Sequence, residues 1–450
     1  MNTAHTAGAA GPGAALAVDG GRPLRGTLRV PGDKSLSHRA LIVGALARGV
    51  SRVGGLSDGD DVARTAAALR ALGATIETDT GDGAVVRGGP DHLHSPGRPL
   101  DLGNSGTSMR LLAGVVAGWP WKVVLGGDAS LSARPMDRIA EPLEQMGATV
   151  TGEGAHRLPP LTVSGGALRG IDYTPPVASA QVKSCVLLAG LRASGETVVR
   201  EPVPTRVHTE ELLERAGAQL RTGDGPEGHV VRVRASELAP IALDIPGDPS
   251  QAAFWLVAAC VVPGSEVTVT RVYTGPARRG AIDVLARMGA QLEEVPRQGP
   301  DDLAATADVT ARASRLVGTE VRAEEITGLD EVPALAVAAA CAEGTTVFFD
   351  VGELRVKESD RLAAVAALVR AFGAGAEVSG DDLVVEGAAR LAPAVFDAGM
   401  DHRIAMAAAV AGLAAPRRDA PSVVTGWESV ATSYPGFARD LAALTEKPAR

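Results

Sequence analysis

The sequence predicts an α/β protein of two domains, assembled from six copies of one βα unit, and three observations predict it. An amphipathic segment ending in Gly-Ala and followed by a strand–turn–strand pattern recurs along the chain. A second, nearly apolar helical segment recurs between these copies. Two loops, Pro31-Gly32-Asp33-Lys34-Ser35 and Pro246-Gly247-Asp248-Pro249-Ser250, resemble each other almost three repeats apart. Self-similarity at a fixed period is the mark of an architecture built by repetition.

The Gly-Ala signature reads TAAALRALGATIE, IAEPLEQMGATV, TEELLERAGAQL, AIDVLARMGAQLE and VAALVRAFGAGAEV, with its glycine at 73, 147, 217, 289 and 373. A sixth copy is expected at ARDLAALTEK. Apolar residues fall at i, i+3/i+4 and i+7, as in Val62, Ala66 and Leu69, which is the stripe of a helix packed on one side. The glycine just past the stripe fits a left-handed helix stop. Turn-rich hairpins follow, such as TDTGDGAVVRG, TGDGPEGHVVRV and SGDDLVVEG.

The second helix of each copy lies in PGDKSLSHRALIVGALA, LGNSGTSMRLLAGVVA, PVASAQVKSCVLLAG, PGDPSQAAFWLVAAC, DEVPALAVAAACAEG and MDHRIAMAAAVAGL. These are apolar almost all round, so they are expected to be buried, with their polar residues at the N-terminal ends. The two similar loops read as crossings between two three-repeat domains. The expected division is a disordered tail at 1–14, domain I from 15–33 and 249–450, and domain II from 34–248, with the strand near 24–30 joining domain I. A solenoid is disfavoured, because solenoid units run to about 20–50 residues and these Gly-to-Gly spacings are 74, 70, 72 and 84.

A formal net charge of −9 excludes nucleic acid and anionic membrane as bulk partners. The Ala-rich stretches at 331–342 and 403–415 are too short to span a bilayer. The first 14 residues lack the basic start and apolar run of a signal peptide. Cys185, Cys260 and Cys341 sit in apolar helical patterns and read as buried thiols of a reducing, cytoplasmic compartment. No structural zinc site is expected from the eight histidines. Only five of 44 basic residues are lysine, and three of those, Lys34, Lys183 and Lys357, fall in the motifs below.

Helix N-termini carry about half a positive charge and unpaired N–H groups, so they attract phosphate and carboxylate. Lys34, Ser35 and Arg39 open the first apolar helix, Gly106 and Thr107 the second, Gln181 the third and Arg403 the sixth, while Arg134, Arg206, Lys357 and Arg361 are placed on connections. Each alone could be an N-cap or a surface charge. Together they read as a divided site for small anionic substrates held between the two halves.

PGDKSLSHRA, NSGTSMR, SARPMDR, SAQVKS, RVHTE, LDEVP, RVKESDR, DHRIAM and TSYP, in that order over residues 31–435, closely resemble the 5-enolpyruvylshikimate-3-phosphate synthase family. The resemblance implies an inside-out α/β barrel of two domains, each of three βαβαββ units. It also implies transfer of the enolpyruvyl group of phosphoenolpyruvate to the 5-hydroxyl of shikimate 3-phosphate, with release of phosphate and without a metal or other cofactor. Carried over by motif, Lys34, Ser35, Arg39, Ser179, Gln181, Arg206, Asp330 and Lys357 are expected on shikimate 3-phosphate. Lys34, Gly106, Arg134, Gln181, Arg361 and Arg403 are expected on phosphoenolpyruvate. Asp330 is a candidate base, Glu358 a candidate proton shuttle, and Lys34 a third catalytic candidate. On a helix, Lys357 and Arg361 would lie one turn apart with Glu358 beside Arg361. The bland alternatives are an i,i+3 ion pair for Glu358, a helix N-cap for Asp330 and a cap for His402. A monomer is expected.

Some members of the family carry a lysine where this chain has Thr432-Ser433-Tyr434-Pro435. The loops around Lys34, Gln181 and Arg206 match a subgroup less sensitive to glyphosate, whereas Gly106 is the small residue of sensitive sites. UDP-N-acetylglucosamine enolpyruvyl transferases share the chemistry but usually carry a reactive cysteine where this chain has Ala129. A non-catalytic repeat scaffold would explain the period without needing Asp330, Glu358 and the cation set together. The fourth repeat, with Pro249 in the place of Lys34, is expected to serve as hinge and structural copy.

Overall fold

The computed structural model describes residues 13–78, 83–225, 228–297, 299, 303, 305–416 and 420–446. The turns expected at 79–82 and 226–227, and most of the expected tail at 1–14, lie outside them. Gly13 and Ala14 are tied down, the first donating to Glu428 Oε1 at 3.0 Å and the second accepting from the Trp427 amide at 3.2 Å. The chain divides into two compact units. A central unit takes Gly32–Pro246 and the short stretch Gly299–Leu303, and a split unit takes the residues before Gly32 with most of those after Pro246.

The central unit holds three four-stranded sheets of one design. In the second, Leu100–Asp101 pairs parallel with Lys122–Gly126, and a buried helix, Gly106–Ala117, makes the crossover. The surface helix Asp137–Met146 then leads to an antiparallel hairpin of Thr149–Glu153 and Leu158–Ser164. The order is thus βαβαββ. The third sheet repeats it with Asp172–Tyr173, buried helix Ala180–Gly190, Glu196–Glu201, surface helix His208–Arg215, and the hairpin Leu220–Gly225 and Gly228–Arg234. In the first sheet, buried helix Lys34–Leu46 leads into Gly49–Gly54, whose parallel neighbour Ala242–Asp244 comes from the far end of the unit. The unit therefore closes on itself.

The split unit repeats the design around buried helices Pro249–Val261, Val332–Ala340 and His402–Ala414. Arg25–Leu28 supplies the parallel edge of the fourth sheet by pairing with Glu266–Tyr273. The sixth copy departs from the expected βαβαββ plan. Its sheet has three strands, and the place of a following hairpin strand beside Ser422–Thr425 is taken by Ala15–Val18, antiparallel. The expected sixth signature helix is present as Phe437–Thr445.

All six second helices are buried over most of their length. Five of them are capped by the side chain of Asp33, Ser105, Ser179, Asp248 or Asp401 accepting from a first-turn N–H, each such cap being worth about 1 kcal/mol. The five signature glycines at 73, 147, 217, 289 and 373 all have φ between 75° and 109°, the left-handed stop that their position predicts. Gly114 serves a different end: a Cβ there would lie 2.2 Å from the Cys185 carbonyl oxygen, so only glycine lets the second and third buried helices approach this closely. In the split unit the core gathers Phe254, Trp255, Leu335, Val337, Met406 and Val410. Trp255 stacks on Phe437 at 4.4 Å and donates its indole N–H to Tyr434 Oη at 3.1 Å. The Thr-Ser-Tyr-Pro stretch thus places its tyrosine in the core. Cys185 and Cys260 are buried, which pushes their thiols up to about 12.

Candidate active site

In the central unit the starts of the three buried helices are tied to one another. Arg39, one turn into the first, donates to Thr209 Oγ1 at 2.8 Å, Ser184 Oγ at 2.7 Å and the Ser35 carbonyl at 2.9 Å. Arg206, on the connection before helix His208–Arg215, donates to Ser35 Oγ at 3.1 Å. Gln181, in the first turn of the third helix, donates to Thr107 Oγ1 at 2.9 Å and accepts from Arg110 at 2.6 Å. Arg134 donates to Asn104 Oδ1 at 2.6 Å, and a Cβ on Gly106 would stand 3.2 Å from the Arg134 guanidinium. Lys34 pairs with Asp61 at 2.9 Å. Ser179 caps the third helix through the Val182 amide. Lys34, Ser35, Arg39, Gly106, Arg134, Ser179, Gln181 and Arg206 are thereby brought to one end of this unit.

That end carries five cations, Lys34, Arg39, Arg110, Arg134 and Arg206, with the positive ends of three helix dipoles, an arrangement that favours multiply charged anions. A cavity of about 260 Å³ lined by Leu46, Val115, Trp119, Leu188 and Arg192 lies at the other end, where these helices finish. Helix C-termini repel anions, so the helix dipoles favour an anion at the first end over this one, where Arg48 also lines the cavity.

A hydrogen-bonded file links the framework beneath: His38 Nδ1 lies 2.7 Å from Thr65 Oγ1, Thr65 Oγ1 lies 2.6 Å from Ser108 Oγ, and Ser108 donates to Ser105 Oγ at 2.7 Å. Burial, and then the charges of Lys34 and Arg39, hold the His38 imidazole well below its ordinary value of 6.5. Folded His38 stays neutral where the unfolded chain's histidine takes a proton. Its contribution to stability is therefore whole above about pH 6.5 and is lost as the pH falls below that, by up to about 1.4 kcal/mol per pH unit. His38→Asn is expected to flatten the fall in Tm between pH 7 and pH 5. An unchanged slope would place the acid sensitivity elsewhere.

In the split unit, Arg361 lies at the centre of a second cluster and is 1% exposed. Its guanidinium meets Asp401 at 2.9 Å, Glu358 at 2.5 Å and Asp330 at 3.4 Å. Burial opposes its charge, but these three carboxylates outweigh it and raise its pKa. Asp401 is held below the usual carboxylate range: burial pushes it up, and Arg361 and then His402 pull it further down. Arg403 approaches Asp330 twice, at 3.5 Å to its carboxylate and 3.2 Å to its carbonyl oxygen. Lys357 donates to the Gly328 carbonyl at 2.9 Å. The side chains of Asp330 and Glu358 are each 18% exposed, and Glu358 Oε2, the oxygen that meets Arg361, is itself buried. Asp330, Lys357, Glu358, Arg361 and Arg403 are thus brought together in this unit.

Lys357 lies on a connection, as expected, together with Glu358, whereas Arg361, also expected on a connection, opens a helix capped by Asp360. The Glu358–Arg361 ion pair forms nonetheless, across the helix start. Asp330 is not the N-cap of its helix, since Glu331 holds that position and Asp330 turns to Arg361 and Arg403. Asp401, rather than His402, caps the sixth buried helix.

Sequence reasoning missed several partners. Arg110 ends the NSGTSMR motif, and Asp401 opens DHRIAM, so both stood in view. The start of the fourth buried helix gave less warning: there Arg278, 2% exposed, binds Asp248 at 2.7 Å and Glu331 at 3.1 Å. Its charge is answered within the unit, in keeping with a structural copy. His92 and His94 form a His-x-His pair that the expectation about zinc passed over, and both are exposed on a loop. Among the described residues, Glu201, Glu210 and His229 are grouped closely enough to hold a metal ion. Lys183 already places its ammonium against both carboxylates, at 2.7 and 2.6 Å.

The chain matches the family model of EPSP synthase (3-phosphoshikimate 1-carboxyvinyltransferase) over residues 18–441. It is 45% identical to the 3-phosphoshikimate 1-carboxyvinyltransferase of Streptococcus uberis, with 94% of this chain and 97% of that one covered. It is 50% identical to the enzyme of the same name from Rhodopseudomonas palustris, with 92% and 94% covered. A solved structure of EPSP synthase from Acinetobacter baumannii superposes with a TM-score of 0.82 at 39% identity, covering 96% of this chain and 98% of that one. The enolpyruvyl transferase NikO from Streptomyces tendae shares the fold, with a TM-score of 0.77 at 22% identity over 96% and 98% of the two chains.

Proposed function

Since the chain belongs to the EPSP synthase family, we propose that its two polar clusters divide the ligands and the proton transfers of one reaction. The enzyme transfers the enolpyruvyl group of phosphoenolpyruvate to the 5-hydroxyl of shikimate 3-phosphate and releases phosphate, a step of the shikimate pathway to aromatic amino acids. Its substrates are these two small anions. The fold is the two-domain inside-out α/β barrel.

Shikimate 3-phosphate is assigned to Lys34, Ser35, Arg39, Ser179, Gln181 and Arg206, with Asp330 and Lys357 on its hydroxyl side. Phosphoenolpyruvate is assigned to Lys34, Gly106, Arg134, Gln181, Arg361 and Arg403. The observation that carries this assignment is the convergence of three helix N-termini with Lys34, Arg39 and Arg206 at one end of the central unit. Arginine suits the two-pronged binding of carboxylate and phosphate. The pairing of Lys34 with Asp61 at 2.9 Å holds its ammonium in place.

The chemistry adds the 5-hydroxyl oxygen to C2 of the enol while C3 gains a proton, giving a tetrahedral ketal. Loss of a methyl proton then expels phosphate and restores the double bond. Glu358 is assigned the proton at C3, and Asp330 the hydroxyl proton, with Lys34 as the cation on both substrates. A carboxyl group that gives C3 its proton is left as the carboxylate that takes a methyl proton back, so one group serves both steps of a single turnover. No cofactor is required, because phosphoenolpyruvate brings its own leaving group.

The two units are taken as the family's two domains, the enzyme as a monomer, and its compartment as the cytoplasm, in keeping with the buried thiols. Among the described residues no helix is long and apolar enough to cross a membrane.

The assay that tests this reading offers phosphoenolpyruvate with each acceptor in turn and follows phosphate release. Release is expected with shikimate 3-phosphate and not with UDP-N-acetylglucosamine, for whose chemistry Ala129 supplies no thiol. No release with shikimate 3-phosphate would overturn the reading. Reduced glyphosate sensitivity is also expected from the loops around Lys34, Gln181 and Arg206, and inhibition competitive with phosphoenolpyruvate at low glyphosate concentration would contradict it.

A further inference from the structure

We infer that Lys183 is a positioning residue for Arg206 and Arg39, acting through a buried ion cluster that fixes both flanks of the Arg206 connection. The inference rests on the reading that these two arginines hold shikimate 3-phosphate.

Lys183 lies in the SAQVKS motif, between residues assigned to substrate, yet its side chain is fully buried and cannot reach a ligand. Its ammonium donates to Glu201 Oε2 at 2.7 Å and lies 2.6 Å from Glu210 Oε1. Glu201 ends the strand that precedes the Arg206 connection, and Glu210 lies in the helix that follows it. Thr205, the neighbour of Arg206, donates its hydroxyl to Glu201. On the other flank, Thr209 hydrogen-bonds Ser184 at 2.6 Å and accepts from Arg39 at 2.8 Å. Consecutive residues of the third buried helix, Lys183 and Ser184, thus hold consecutive residues of the next helix, Glu210 and Thr209. The same contacts fix Thr205 through Glu201.

Arg206 is in this way suspended between two anchors that share one ammonium. A connection held only by its chain ends would let a long arginine side chain sample many positions. Anchoring both flanks removes that freedom before substrate arrives, which strengthens binding without adding a contact. The cluster has the makings of a metal site, with Glu201, Glu210 and His229 within 4.8 Å of one another. The lysine occupies it with a covalently held cation, so the anchoring does not depend on metal supply.

Removing Lys183 alone would leave two buried carboxylates facing each other and could unfold the unit. Glu210→Gln is the safer variant, because it leaves Lys183 and Glu201 as a neutral pair and reduces only the anchor on the Arg206–helix flank from an ion pair to a neutral hydrogen bond. Glu210→Gln, Arg206→Ala and the double variant are purified, checked by circular dichroism, and assayed for KM with each substrate. Glu210→Gln is expected to raise KM for shikimate 3-phosphate about tenfold, with KM for phosphoenolpyruvate and kcat changed less than threefold. The double variant is expected to be no worse than Arg206→Ala alone, since Glu210 acts through Arg206. A merely structural role would give additive losses and no split between the substrates. If Arg206→Ala raises KM for shikimate 3-phosphate but Glu210→Gln does not, the anchoring role is wrong and the site assignment stands. If Arg206→Ala leaves that KM unchanged, the site assignment fails and this inference with it. A metal role is separated by adding zinc or a chelator to the native enzyme: a change in KM for shikimate 3-phosphate would overturn the assignment of the cluster to Lys183.

Discussion

Glu358→Gln is expected to lower kcat by about a hundred- to ten-thousand-fold while leaving the fold and both KM values close to native. The expectation follows from what the substitution keeps and what it removes. Glutamine has the size of glutamate and a carbonyl oxygen that can still accept from Arg361, so the 2.5 Å contact can persist as a neutral hydrogen bond. Arg361 also retains Asp401 and Asp330, which keeps its buried charge answered. What glutamine cannot do is carry a proton to the vinyl carbon and take it back. A structural ion pair would give the opposite pattern, with lower Tm and an ordinary kcat. Steady-state kinetics and a melting curve on the same preparation separate the two. A kcat within threefold of native would remove Glu358 from the chemistry.

Arg361→Met is expected to cost about 3–5 kcal/mol of stability, the usual result of leaving a buried charge without its partner. Asp401 is 1% exposed and owes its depressed pKa to Arg361, so it suffers most. The sign of the pH effect follows. With its pKa depressed in the folded state, Asp401 contributes stability above its unfolded value of about 3.9, and that contribution is lost as the pH falls through the folded value. In Arg361→Met the depression disappears and burial lifts Asp401 above its ordinary value, so the native enzyme's advantage over the variant should begin to shrink above about pH 4 and go on shrinking as the pH falls through the native folded value. Adding Asp401→Asn removes the orphaned charge and is expected to recover more than half of the lost stability. Phosphoenolpyruvate affinity should stay lost in the double variant. Equal stability of native and Arg361→Met chains by chemical denaturation would contradict the account of this cluster.

Much of this was legible in the sequence because it depends on local chemistry. The glycine stops, the apolar helices and their N-caps are written in short windows, and six of them recurring made the fold readable. The motif residues at helix starts were legible for the same reason. What was not legible is pairing across the fold. Nothing near Lys34 in sequence points to Asp61, and nothing near Arg278 points to Glu331. The strand Ala15–Val18 is only four residues long, too short for its alternation to announce that it completes the sixth sheet. Arg361 was placed on a connection although it opens a helix, because i,i+3 spacing from Glu358 reads alike whether the first residue is helical or lies just outside. Lys183 was seen as a motif lysine, but its burial, and with it its work through Glu201 and Glu210, is a tertiary fact.

The central claim is that residues of both units act on the same phosphoenolpyruvate. It is tested most directly by titrating phosphoenolpyruvate into Arg134→Ala and Arg403→Gln variants by calorimetry, with shikimate 3-phosphate saturating and glutamine at Glu358 to prevent turnover. Each arginine variant is predicted to weaken phosphoenolpyruvate binding by about tenfold or more, since each removes a charge-assisted contact. If only one of the two weakens it, phosphoenolpyruvate is held by one unit alone and the division of ligands proposed here is wrong.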